Sequence, residues 1–157
     1  IEETYPDTPL YSSDANERAT IRQIMKIAEQ YFELPSRRLI PFTFSGTPVP
    51  KPIATEVRQV LERGIIAFNH LCQFSPWVAG EQLTMADIYV YYVNTIVSAF
   101  AVRQLDWDVL AQIDGMTAWN NTMKQTDIAQ SIETDRIENM PQFMQRVQAQ
   151  LKAANTK

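Results

Sequence analysis

Few side chains in this sequence are of a type that does chemistry near neutral pH. The chain holds one cysteine, Cys72, and one histidine, His70. A lone thiol cannot close an internal disulfide, and one imidazole beside one thiol falls short of a zinc-ligand set. Cys72 also falls on an apolar stripe with Val57, Val60, Leu61, Ile65, Phe68 and Leu71. That placement reads it as an inert core thiol in a reducing compartment. His70 beside it reads as a partly exposed helix residue rather than a base. No catalytic residue is assigned, and no metal is expected.

The stretch Leu83-Thr84-Met85-Ala86-Asp87-Ile88 carries a different chemistry, that of a helix start. Thr84 as N-cap accepts from the Asp87 amide, the Asp87 carboxylate reaches back to the Thr84 amide, and Leu83 packs onto Ile88. Losing such a cap costs about 0.5 to 2 kcal/mol, and more if the helix is central and its first amides are buried. Further back, Arg37 and Arg38 stand just past a helical pattern, where cations favour the negative end of the helix dipole.

These residues need helices to position them. Glycines number four and most prolines cluster, which leaves long stretches free to be helical. Residues 1–13 read as a linker ending in the N-cap run Ser12-Ser13-Asp14. Over 14–33 the apolar residues Ile21, Ile24, Met25, Ala28, Tyr31 and Phe32 form one stripe of a helix, which Leu34-Pro35 disturbs. Between Pro35 and Pro52 five prolines and Gly46 predict a long irregular connection. A second helix over 53–74 should pair antiparallel with the first and end at Ser75-Pro76. Gly80 then allows the turn into a third, over 85–102, apolar nearly all round and so central. Short helices near 107–113 and 116–124 and a last one over 139–151 complete an all-α bundle of five to seven helices.

The formal charge of -4 and a pI near 5.0 give no basic field for phosphate backbones or anionic lipid, so neither nucleic acid nor membrane is an expected partner. The most apolar stretch, 85–102, is interrupted by Asp87, Asn94, Thr95 and Ser98, which fits a core helix better than a membrane span. No signal peptide is visible, although the chain begins at Ile1 without a methionine. The expected location is the cytoplasm.

Three motifs together resemble one family. Trp77-Val78-Ala79-Gly80-Glu81-Gln82-Leu83-Thr84-Met85-Ala86-Asp87-Ile88 is similar to the start of the central helix in the glutathione S-transferase superfamily, where a tryptophan, a glycine and a capping box follow in this order. Ile1-Glu2-Glu3-Thr4-Tyr5-Pro6 resembles the end of that family's thioredoxin-like N-terminal domain. Met116-Thr117-Ala118-Trp119 resembles its short helix with a core tryptophan. The likeness runs to about Asp127, and the tail over 128–157 carries no signature.

The resemblance implies a helical C-terminal domain over 14–157, preceded in 1–13 by the end of the thioredoxin-like domain and the linker. It implies a cytoplasmic homodimer, paired through its first two long helices, that conjugates glutathione to hydrophobic electrophiles in detoxification. Glutathione is then a co-substrate and no cofactor is needed. The thiolate-stabilising residue and the glutathione site belong to the N-terminal domain, and the helical domain supplies the acceptor wall. On that wall Glu29 and Gln30 fall where some members reach the neighbouring subunit's glutathione amino group with an acid. Gln30 departs from that pattern, since an amide accepts the bond without adding charge. Phe32 falls near an aromatic of the acceptor pocket, while its stripe reads it as core. Arg37 offers attraction for an anion beside its dipole role. The same helical domain also occurs in non-catalytic relatives as an interaction module, which is the competing reading.

Overall fold

Asp14 opens the first helix by accepting the amides of Asn16 and Glu17 on Oδ1, each at 2.9 Å, which satisfies two donors that a helix start otherwise leaves orphaned. The computed structural model describes residues 2 and 4–154. Ile1 and Glu3 of the linker motif and the end of the tail, 155–157, lie outside them.

From Asp14 one rod continues as α1 (Ala15–Ile27), a π-helical segment (Ala28–Glu33) and α2 (Leu34–Arg37). A short α3 (Ile40–Ser45) leads to α4 (Lys51–Leu71). The next rod runs as α5 (Met85–Ile96), a second π-helical segment (Val97–Val102) and α6 (Arg103–Leu105). After a 3₁₀ turn (Leu110–Gln112) come α7 (Met116–Lys124) and α8 (Asp127–Ala154). Among the described residues there is no strand beyond one isolated bridge between Trp77 and Gly80, and the fold is all-α with five main helical stretches.

Two prolines are accommodated where the sequence pattern places a break. Pro41 stands in the first turn of α3, where an amide would have no helical partner anyway, and Pro35 falls just after the π-helical segment, at the start of α2, so the chain stays helical instead of forming an irregular connection from Pro35. Gly46 ends α3 at φ 68, the left-handed conformation a glycine adopts without strain. The last helix starts well before residue 139, at Asp127, and runs through Pro141. The region near 107–113 holds only the 3₁₀ turn.

Two pairings fix the direction of α4 against the first rod. Arg38 meets Glu56 in a bidentate bond of 2.7 and 3.0 Å, while Phe32, earlier in the chain, meets Phe68, later in it, at 4.8 Å between ring centroids. The rods therefore run antiparallel. Gly64 sets their spacing, since a Cβ there would stand 2.8 Å from Phe32 Cε2 and 2.9 Å from Tyr31 Cβ. The core gathers Ile21, Ile24, Leu61, Val90 and Val97, each at most 2% exposed.

The stretch Met85–Leu105 is long and apolar enough to cross a bilayer. Its polar residues Asp87 and Asn94 are nevertheless buried and bonded to other elements, as in a core helix. The chain divides into two compact units, Ile1–Asn120 and Asn121–Lys157.

Candidate functional site

The π-helical segment over Ala28–Glu33 carries most of the candidate wall residues. Its wider turn is visible where the Leu34 amide reaches back to the Glu29 carbonyl, five residues away. One extra residue per turn changes which side chains face inward. Phe32 is 2% exposed and packs on Phe68, so in this arrangement it backs the segment and offers no surface to a ligand. Gln30 is exposed. Glu29 is half-exposed and ion-paired to Lys26 one turn back.

The sequence singles out Arg37 but neither its partner Glu33 nor the Tyr89 that Glu33 also bonds. Glu33 accepts from Arg37 Nε at 2.8 Å on one oxygen and from the Tyr89 hydroxyl of α5 at 3.0 Å on the other. Burial pushes the Tyr89 hydroxyl up to about 12, helped by its bond to Glu33 and by the charges of Glu33 and Glu29, with Arg37 opposing. Tyr89 is thus a neutral donor throughout the physiological range. The structure gathers Glu29, Glu33, Arg37 and Tyr89 along one edge of the central rod. It leaves Gln30 outside that group and Phe32 beneath it. Glu33 was within reach of sequence reasoning as the acid four residues before Arg37. Tyr89 carried no such signal, being 56 residues from its partner.

At the start of α5, Thr84 and Asp87 face one another as a capping box. Asp87 Oδ2 accepts the Thr84 amide at 2.8 Å and the Thr84 hydroxyl at 3.0 Å, and the Asp87 amide bonds the Thr84 carbonyl at 3.1 Å. The other carboxylate oxygen takes the Val78 amide at 2.8 Å and the Trp119 indole N–H at 2.9 Å. Asp87 is 0% exposed, so these donors replace water entirely. The group has no lone pair to spare for a ligand, and its chemistry is folding.

Burial, with the Asp87 charge adding to it, pushes the Cys72 thiol up to about 12. At neutral pH it is protonated and a poor nucleophile. His70 is exposed on α4. Among the described residues no group of three or more His, Cys, Asp and Glu is placed to hold a metal ion.

Two cavities lie elsewhere. One, of about 1360 Å³, runs between the N-terminal segment, the first half of α1 and the loop before α5, with Tyr11, Arg18 and Glu81 in its lining. The other, of about 400 Å³, lies along α4 beside the end of the central rod. Neither is lined by Glu29, Gln30, Phe32 or Arg37.

No family model matches the chain. A glutathione S-transferase of Pseudomonas putida is 31% identical to it over 149 residues, which is 95% of this chain and 68% of that protein. Among solved structures it is similar in fold to a delta-class glutathione transferase of Nilaparvata lugens, with TM-score 0.58 at 20% identity over 89% of this chain. It spans 61% of that structure, under two thirds of its length. With 31% identity reaching across nearly the whole chain, on an all-helical fold with a buried capping box, the chain belongs to the glutathione S-transferase superfamily.

Proposed function

We propose that residues 14–157 are the helical C-terminal domain of a glutathione S-transferase, with 1–13 as the end of its thioredoxin-like domain and the linker. In that reading the longer protein conjugates glutathione to hydrophobic electrophiles in the cytoplasm, as detoxification. The observation that carries it is the 31% identity to a glutathione S-transferase across 95% of this chain. Glutathione is the co-substrate. Conjugation needs a donor aimed at the glutathione sulfur to favour thiolate over thiol. Cys72, protonated and half-buried, is no such group, which supports assigning that step to the thioredoxin-like domain.

This chain's share is the acceptor wall and the dimer surface. The edge formed by Glu29, Glu33 and Arg37, backed by the buried Phe32 and with Gln30 exposed beside it, is the wall. Tyr89 stands at that edge as a neutral residue whose hydroxyl proton is donated to Glu33, which holds the Glu33 carboxylate in place beside Arg37. The first rod and α4 form the surface between two copies, where Ile66, 60% exposed on α4, is an apolar contact awaiting cover.

The test assays the longer protein and this chain side by side with glutathione and an aromatic electrophile, with circular dichroism of both and sedimentation of the longer protein. The longer protein should conjugate and sediment as a dimer, and this chain should be helical yet inactive. Conjugation by this chain at a comparable rate would overturn the division of labour. An inert longer protein would favour the interaction-module reading instead.

A further inference from the structure

The groove of about 400 Å³ along α4 is lined by side chains outside the acceptor wall. Lys51, Thr55, Arg58, Gln59 and Glu62 recur at the spacing that puts them on one face of the helix, with Gln104 opposite at the end of the central rod. Lys51 and Arg58 are seven residues apart, two turns of α4, or about 10 Å along its axis. Both are long enough to lean toward a shared ligand.

Arg58 is held in an unusual way. Its natural partner by spacing is Glu62, one turn on. No ion pair joins them among the described residues. Instead the guanidinium lies 4.3 Å from the centroid of the Trp107 ring and donates from Nη2 to the Leu105 carbonyl at 3.3 Å. Stacking fixes the plane of the guanidinium and leaves its other N–H groups without a protein partner among the described residues. Lys51 likewise enters no ion pair there. In a chain of net charge -4, a groove holding two cations that no ion pair neutralises among the described residues, against one carboxylate, runs counter to the average surface.

We propose that this groove binds a small molecule carrying two oxyanion groups, one at Lys51 and one at the stacked guanidinium of Arg58. Thr55, Gln59 and Gln104 supply neutral polar contacts, Ala54 and Leu105 add apolar surface, and Glu62 closes the far end by repulsion. A cavity of this size suits a compact metabolite better than a lone phosphate ion. Dicarboxylates and bisphosphates share this chemistry. The assignment uses none of the acceptor-wall residues, although it lies on α4, the helix that the transferase reading also gives to the dimer surface.

The experiment is calorimetric titration of the protein with glutarate and with pyrophosphate at constant ionic strength, with butyrate as the single-charge control. Saturable binding of at least one dianion is expected, with butyrate much weaker. Lys51→Gln and Arg58→Gln should each weaken it by about tenfold, the size of losing one charge-assisted contact. Arg146→Gln, on α8, should leave it unchanged. Preference for glutarate or for pyrophosphate tells which oxyanion the groove takes. Heats from both dianions no different from sodium chloride would overturn the proposal, and would leave Arg58 as a structural tie between α4 and the end of the central rod. So would undiminished binding by Lys51→Gln, a change at an exposed residue that decides the matter even if Arg58→Gln fails to fold.

Discussion

Two carboxylates meet the central rod, and they are held in opposite ways. Asp87 has no exposure and four donors from three separate parts of the chain. Glu33 is 18% exposed and shares itself between Arg37 on its own rod and Tyr89 on another. The first cannot change partner without leaving an indole N–H and two amides buried and unsatisfied. The second can exchange either partner for water or ligand at small cost. A protein that must be rigid at one end of a helix and adaptable along its edge is built from the same functional group in two environments.

The comparison breaks first at Asp87. Asp87→Ala should lower stability by about 3 kcal/mol or more, since it strands several buried donors at about 1 to 3 kcal/mol each. Urea denaturation is the measurement, and equal midpoints for variant and parent would show that the knot is dispensable. A middle-sized effect is expected at Gly64, which lets α4 approach the π-helical segment. A methyl group there meets Phe32 and Tyr31 Cβ inside 3 Å. Overpacking costs about 1 to 3 kcal/mol, against a helix-propensity gain of about 1 for alanine, so Gly64→Ala should lose about 1 kcal/mol net. A thermal melt at or above the parent's would mean that the Phe32 ring moves aside freely.

The smallest effect belongs to the exposed edge. Tyr89→Phe should change stability at pH 7 by about 1 kcal/mol or less. Its mark is at alkaline pH. The folded hydroxyl titrates near 12, above its ordinary value of 10, so the folded state holds the proton more tightly. That contribution is complete below pH 10 and is lost as pH rises toward 12. The parent should therefore lose stability more steeply over that window than Tyr89→Phe, and parallel curves would show that folding does not hold the Tyr89 proton.

Legibility followed range. The stripes of α1, α4 and α5 and the Thr84–Asp87 box are local patterns within a few turns, and the sequence pattern states them directly. The prolines misled because Pro35 and Pro41 look like breaks but occupy first turns, and because α8 carries Pro141 through its interior. The partners of the edge and the knot lay out of reach. Tyr89 finds Glu33 across 56 residues and Trp119 finds Asp87 across 32, and neither spacing follows from periodicity. Phe32 could be read as wall or as core, and only the packing of Phe68 and Gly64 around it shows the ring buried.

The knot at Asp87 also has a consequence measured in time. Val78 and Thr84 lie in the irregular run between α4 and α5, where amide protons usually trade with solvent quickly because their bonds are made to mobile or exposed partners. Here both amides end on a carboxylate that is sealed from water and shared with Trp119. Releasing either one means pulling apart the loop, the helix start and the indole together. Two loop protons should then exchange as slowly as those in the middle of the central helix, so that a stretch without regular structure keeps the pace of the core.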